Sequence, residues 1–267
     1  HTVSEDFKFS ANYNFTKLDN NVTFVGDATG VIEGGSFGVG QQAPSRMEAG
    51  FPIGYFYGYE TNGIFQTQAD VDAHATQTNA APGDLRFVDT NGDGTITNED
   101  RTYIGDPIAD ITMGMNFSFN YKAFDFNAYA FASLGNEIVR SYERNLPLTN
   151  RLSYVLDRWT GPGTSNTSPR VTTGATGNTL FSDFYVEDGS FLRLQNIQLG
   201  YTFDADQLEK LQFDTVRFYV SASNLFTLTK YKGYDPTTSN GSPIGGGIDQ
   251  GFYPNPKTFL FGVNLNF

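Results

Sequence analysis

Residues 111–134 read ITMGMNFSFNYKAFDFNAYAFASL, and the alternation in this stretch decides the fold. Ile111, Met113, Met115, Phe117, Phe119 and Tyr121 occupy the odd positions; Thr112, Gly114, Asn116, Ser118 and Asn120 fall between them. Side chains of a strand point to opposite faces in turn, so one face is apolar and the other small and polar. Lys122 and Ala123 make a tight reversal, after which Phe124, Phe126, Ala128, Ala130 and Ala132 alternate with Asp125, Asn127, Tyr129 and Ser133. The stretch is a hairpin of two strands, 111–121 and 124–134.

The same period recurs at 257–267, where Phe259, Phe261, Val263, Leu265 and Phe267 alternate with Leu260, Gly262, Asn264 and Asn266. Further strands are expected at 5–16, 21–33, 191–203 and 214–228, carrying side chains such as Phe7, Phe9, Tyr13, Leu199, Phe203, Phe218 and Val220. Strands of a soluble sandwich run about 5–6 residues. These runs are longer and match the roughly 9–11 residues that a tilted membrane strand needs. The pattern therefore favours a transmembrane antiparallel β-barrel, with a calcium-stabilised soluble β-sandwich as the competing all-β reading.

Composition points the same way. Phe is 25, Tyr 15 and Trp 1 of 267 residues, while charged residues are only 17%, below the usual quarter. The longest unbroken apolar run is Ala128–Ala132, so no segment supplies the roughly 20 apolar residues of a membrane helix. The net charge of −12 argues against nucleic acid, which attracts basic surfaces. There is no cysteine, and His1 and His74 are the only histidines. Thiol chemistry, Cys-ligated metals and a histidine-based triad therefore lack material. Carboxylates such as Glu60, Asp70, Asp72, Asp84, Asp157, Asp183 and Asp249 are scattered through polar stretches, which reads as solvation rather than as a paired catalytic site. The expectation is that the chain is not an enzyme. Trp159, with Tyr154 and Tyr185, either stacks on a sugar or packs the base of a loop, and the second is favoured.

Bacterial barrels have short periplasmic turns and long outer loops. With Lys122–Ala123 periplasmic, residues 135–190 and 229–256 become exterior loops and the short polar link 204–212 becomes periplasmic. A periplasmic turn at Lys17–Asn20 then leaves 34–110 as one large exterior excursion. Seven strands is an odd number, whereas a single-chain bacterial barrel has an even one. The chain is thus expected to be part of a larger barrel; an eighth strand would instead make an independent one. It opens on His1-Thr2 without Met or a leader-like segment, which reads as a fragment or processed chain.

Residues 89–100, DTNGDGTITNED, match a calcium loop. Asp89, Asn91, Asp93, Gly94, Thr95, Ile96 and Asp100 fall at positions 1, 3, 5, 6, 7, 8 and 12 of the EF-hand pattern, where alternate oxygens converge on a hard cation and Gly permits the sharp turn. The expected ligands are Asp89, Asn91, Asp93, Thr95 (through its carbonyl) and Asp100, holding a structural Ca²⁺. Asp100 departs from the usual bidentate Glu. The competing reading is a turn whose Asp and Asn side chains satisfy only the backbone.

Five stretches together resemble the C-terminal part of the SusC/RagA-like TonB-dependent transporters of Bacteroidetes outer membranes: GFPIGYFYGYETNGIFQ (50–66), PGDLRFVDTNGDGTITNEDRTYIGDP (82–107), FSDFYVEDGSFLRLQNIQLGYTF (181–203), RFYVSASNLFTLTKYKGYDP (217–236) and YPNPKTFLFGVNLNF (253–267). The resemblance implies a 22-stranded barrel with an internal plug. It implies a SusD-like surface lipoprotein as lid, TonB as energy source, and oligosaccharides or peptides as substrates. The plug and the TonB-contacting segment belong to the family's N-terminal part, absent here, so this chain would supply wall, lumen surface and exterior loops; a structural or adhesive outer-membrane barrel without transport is the alternative. The terminal Phe267 on an alternating strand looks like the signal read by outer-membrane assembly machinery.

Overall fold

The computed structural model describes residues 2–38, 42–143, 150–204, 213–237 and 241–267. The long alternating runs form one seven-stranded sheet: β1 (Thr2–Ser4), β2 (Phe7–Lys17), β3 (Ile111–Tyr121), β4 (Phe124–Leu134), β5 (Phe191–Asp204), β6 (Thr215–Thr229) and β7 (Thr258–Asn266). Each strand pairs antiparallel with the next in chain order, a simple meander.

Register carries the apolar face across the whole sheet. Phe9 pairs with Phe119, Phe119 with Phe126, Phe126 with Leu199, Leu199 with Val220, and Val220 with Phe261. The next rung reads Ser10, Ser118, Asn127, Gln198, Ser221 and Leu260. A one-residue slip in any pair would put apolar side chains on the polar face, so the pattern itself fixes the register. Bulges then reset the alternation. Between Asn196 and Leu194 the ladder shifts, which turns Leu192 and Leu194 to the apolar face and Arg193 to the polar one. On β6 the shift coincides with Asn224, at φ +53°, in the left-handed region that Asn tolerates better than most side chains.

Two expectations are corrected. Residues 21–33 do not form a wall strand. Asp27 ends the run in a turn, accepting the Thr29 N–H at its side chain and the Gly30 N–H at its carbonyl. Val31–Gly34 instead pairs with Ser45–Glu48 in a separate sheet, and the seventh wall strand is Thr2–Ser4. Second, Lys17 pairs with Ile111 and Phe7 with Tyr121. The Lys17–Asn20 segment therefore lies at the end of the sheet opposite Lys122–Ala123, where Leu18 donates to the Asp110 carbonyl. The connection shared with the Lys122–Ala123 end is Glu5–Asp6 instead; Lys122 N–H donates to the Asp6 carbonyl. The link expected around 204–212 falls, from residue 205 onward, outside the described residues.

The excursions 18–110, 135–190 and 230–257 build a body with its own core rather than extended loops. Glu137–Arg140 pairs antiparallel with Val186–Asp188 and parallel with Ile248–Asp249, joining the second excursion to the third. One apolar cluster holds Phe37 and Phe56 from the first excursion, Val139, Phe181 and Tyr185 from the second, and Ile248 from the third. Phe37 packs its ring at 4.9 Å from Phe181 and 4.7 Å from Tyr185. A second cluster joins Tyr59, Ile64, Leu85 and Phe87, with Ile96 and Trp159 against it.

Candidate functional site

The chemistry of this chain lies in the two faces of the sheet and in the body at its loop-bearing end. On the apolar face Phe261 is 81% exposed and Phe259 63% exposed. Among the described residues no second sheet covers this face, whereas a sandwich buries such side chains between two sheets. A bare face of Phe, Val and Leu is unstable in water at about 25 cal/mol per Å² and suits hydrocarbon.

The polar face is built from small residues that admit long neighbours. A Cβ on Gly200 would lie 2.4 Å from Asp125 Oδ1 and 2.6 Å from Arg217 Nη2; its absence lets Arg217 reach across β5 to Asp125, donating at 2.8 and 2.6 Å. Gly262 makes room for the Tyr219 ring and Gly114 for the Asn14 amide. Ser10 and Ser118 share a 2.7 Å hydrogen bond, and Asn127 donates to Asn116 at 3.2 Å. Polar groups on this face are thus paired laterally along the wall, leaving a hydrophilic surface suited to water.

Several of the carboxylates that looked scattered in sequence staple the loop body. Asp84 is fully buried and receives Arg170 Nε at 2.7 Å and Nη2 at 2.9 Å, with Asn178 Nδ2 at 2.9 Å. This joins the first excursion to the second. Arg140 bridges Glu143 and Glu187 and lies over the rings of Tyr154, Phe184 and Tyr185. Asp249 accepts the Tyr231 hydroxyl at 2.5 Å, Asp183 accepts from Thr61, and Asp70 caps the short helix α1 (Gln68–Asp72). Trp159 packs the second cluster and donates Nε1 to Gln66 at 3.2 Å; Tyr185 is buried. Half-buried His74 approaches the Phe87 carbonyl through Nε2 at 2.8 Å.

The sequence reading missed a buried ionic link between wall and body. Arg193, on β5, donates Nε to Thr227 at 2.8 Å and Nη2 to Asp235 at 2.6 Å, and both charged residues are buried. Asp235 also accepts N–H groups of Thr237 and Asn255 at 3.0 and 2.9 Å. Burial pulls the Asp235 carboxyl upward, but the Asn255 N–H, Thr237 and the Arg193 guanidinium outweigh it and hold it at about 2. The only sequence signal was that FLRLQN and KGYDP both lie in the stretches carrying the family resemblance.

At the calcium-like loop, Asp89 accepts the Gly92 and Gly94 N–H groups, Asn91 accepts Asp93 N–H, and Asp93 accepts Thr95 N–H, all within 2.8–2.9 Å. Asp100 is engaged by backbone groups at both ends of the loop. It is buried and takes the Thr90 and Thr97 N–H groups, completing a capping box with Thr97. Burial raises its pKa, yet the N–H groups of Thr97, Thr90 and Asn91 prevail and lower it. Among the described residues no three Asp, Glu, His or Cys groups converge to hold a metal. The oxygens of Asp89, Asn91 and Asp93 keep unused lone pairs, so the donor chemistry fits a hard cation.

A long-stranded antiparallel meander, bare and apolar on one face and polar on the other, is the wall of a β-barrel of the membrane class. The comparisons define it further. TonB-dependent receptor P3 of Formosa agariphila is 34% identical over 275 residues, covering 99% of this chain and 27% of that protein. TonB-dependent receptor SusC of Bacteroides thetaiotaomicron is 32% identical over 274 residues, covering 99% and 25%. Among solved structures, the RagAB peptide transporter superposes with a TM-score of 0.75 at 23% identity, covering 100% of this chain and 28% of that one; this shows the fold. No family model matches. The chain is a segment of a SusC-like TonB-dependent receptor, and it spans about a quarter of the length of the curated relatives it matches. Those relatives are receptors, not enzymes.

Proposed function

We propose that this chain supplies wall, lumen surface and exterior body to an outer-membrane transporter. The transporter imports oligosaccharides or peptides beneath a SusD-like surface lipoprotein and draws energy from TonB through parts of the protein outside this chain. The observation that carries this reading is the unbroken apolar row from Phe9 to Phe261 beside a polar row of Ser, Asn and Gln. Lipid accepts the first and hydrated solute the second. Short connections at Glu5–Asp6 and Lys122–Ala123 then face the periplasm, and the three-excursion body faces the exterior. The edges of the sheet, at β1–β2 and β7, pair with the remaining strands of the receptor.

The test is genetic and biochemical. Deleting the receptor gene should abolish TonB-dependent uptake of one solute class, and the tagged receptor should fractionate with the outer membrane and co-purify with a surface lipoprotein. Recovery of the receptor in a soluble fraction would overturn the reading. We also propose that the 89–100 loop takes a structural Ca²⁺ through Asp89, Asn91, Asp93, Thr95 and Asp100, a reading supported by the spacing and by the all-oxygen donors of its exposed turn.

A further inference from the structure

Where the wall meets the loop body, the two line an open pocket of about 510 Å³, within the roughly 300–1,000 Å³ of small-molecule sites. Ser133 of β4 and Phe191 of β5, directly paired on the polar face, form its wall. Asn136, Ile108, Thr237 and Ser242 close it from the three excursions. Ser133 and Asn136 are already oriented by a 3.1 Å hydrogen bond to each other.

Among the described residues, no Asp, Glu, Lys, Arg or His lines this pocket. Of the neighbouring charges, Arg193 and Asp235 are buried and neutralise one another, and Asp106 and Glu137, next in sequence to lining residues, are carboxylates that repel an anionic ligand. An anionic ligand would lose hydration without gaining a counter-charge, a penalty of several kcal/mol per ion. Hydroxyl and amide groups interleaved with an aromatic ring and aliphatic surface instead match a pyranose ring, which presents hydroxyl edges and apolar C–H faces. A free peptide brings a carboxylate that finds no cationic partner among the described lining residues.

We infer that this cavity is a substrate subsite for an uncharged oligosaccharide, and that it discriminates against uronate and sulfated sugars and against free peptides. The inference rests on the transport reading and narrows its substrate class. Gly246 offers the probe: it lines the cavity, and a Cβ there meets nothing closer than Pro107 at 3.7 Å, so Gly246→Phe fills the space without straining the backbone.

The experiment is calorimetry on the whole receptor in detergent. The probes are cellohexaose, xylohexaose, mannohexaose and maltohexaose, set against hexagalacturonate, a sulfated hexasaccharide and an uncapped Ala-Gly hexapeptide. At least one neutral sugar should bind, at least about tenfold more tightly than every charged probe. Gly246→Phe should weaken that binding about tenfold or more, and Ser133→Ala with Ser242→Ala, which keeps the volume, should weaken it in the same direction. The inference falls if no neutral sugar binds, if a charged sugar or the peptide binds as well, or if the variants bind like wild type. TonB-dependent uptake and outer-membrane fractionation test the transport reading separately, and both can hold while this subsite fails.

Discussion

Replacing Arg193 with Met leaves the Asp235 carboxylate buried without its counter-charge. Breaking one partner of a buried pair costs about 3–5 kcal/mol. Asp235 gives an independent figure. Its carboxyl is held at about 2 against an ordinary 3.8, and a shift of about 1.8 units at 1.36 kcal/mol each is roughly 2.4 kcal/mol. The Asn255 and Thr237 hydrogen bonds share in that value, so the variant should loosen the third excursion by about 3 kcal/mol, or roughly 150-fold in opening equilibrium. Hydrogen exchange of the whole receptor at neutral pH reads this directly at the amides of Thr237 and Asn255, which donate to Asp235. Exchange there should accelerate by about two orders of magnitude, while strand amides in β3 and β4 stay protected. The pH dependence has a definite sign. A carboxyl depressed in the folded state stabilises above its unfolded value and loses that contribution as pH falls through the folded one. Loop stability should therefore decline between about pH 4 and pH 2 in wild type, and less steeply in Arg193→Met. Unchanged protection of both amides in Arg193→Met would refute a stabilising role for the Arg193–Asp235 pair.

Three other outcomes test separate parts of the account. Phe261→Arg, on the bare face, should cost about 2–4 kcal/mol of folding stability in lipid vesicles, whereas Gln198→Arg on the polar rung should cost much less; equal costs would put the faces in doubt. Gly200→Leu drives a side chain into the Asp125–Arg217 pair and should lower the melting temperature more than Gly246→Ala does, as read by heat-dependent gel mobility. In Asp89→Ala combined with Asp93→Ala, calcium-dependent protection of 89–100 from protease should vanish while the barrel still folds; collapse of the barrel, or a wild-type loop indifferent to calcium, would remove the proposed structural ion.

What could be read from the sequence was what repeats locally. Alternation in β3, β4 and β7 places Phe117, Phe126 and Phe261 on one face because the side-chain period of a strand is two. The run at 21–33 carried Val22, Phe24 and Val25 but no instruction about pairing; the Asp27 turn decides, and Val22 exchanges backbone hydrogen bonds with Gly50 and Phe51 instead. The bulge near Gln195 was equally hidden, since Leu192 and Leu194 share a face with Ile197 only after the register slips. The loop body was missed for a different reason. Phe37, Phe56, Val139, Phe181 and Ile248 meet through long-range folding and follow no local period, so a Gly- and Thr-rich sequence read as extended loop. Arg193 and Asp235 are ordinary surface-type residues until the fold buries them together.

The central claim is that one face of the meander touches lipid and the other touches water. The segment has no cysteine, so single nitroxide-labelled cysteines at Phe126, Leu199, Val220 and Phe261, and at Asn127, Gln198, Ser221 and Asn264, can be read one by one in the reconstituted receptor. Collisions with dissolved oxygen should dominate at the first four and collisions with a water-soluble nickel chelate at the second four. Loss of that alternation, with both sets equally wet or equally dry, would contradict the account.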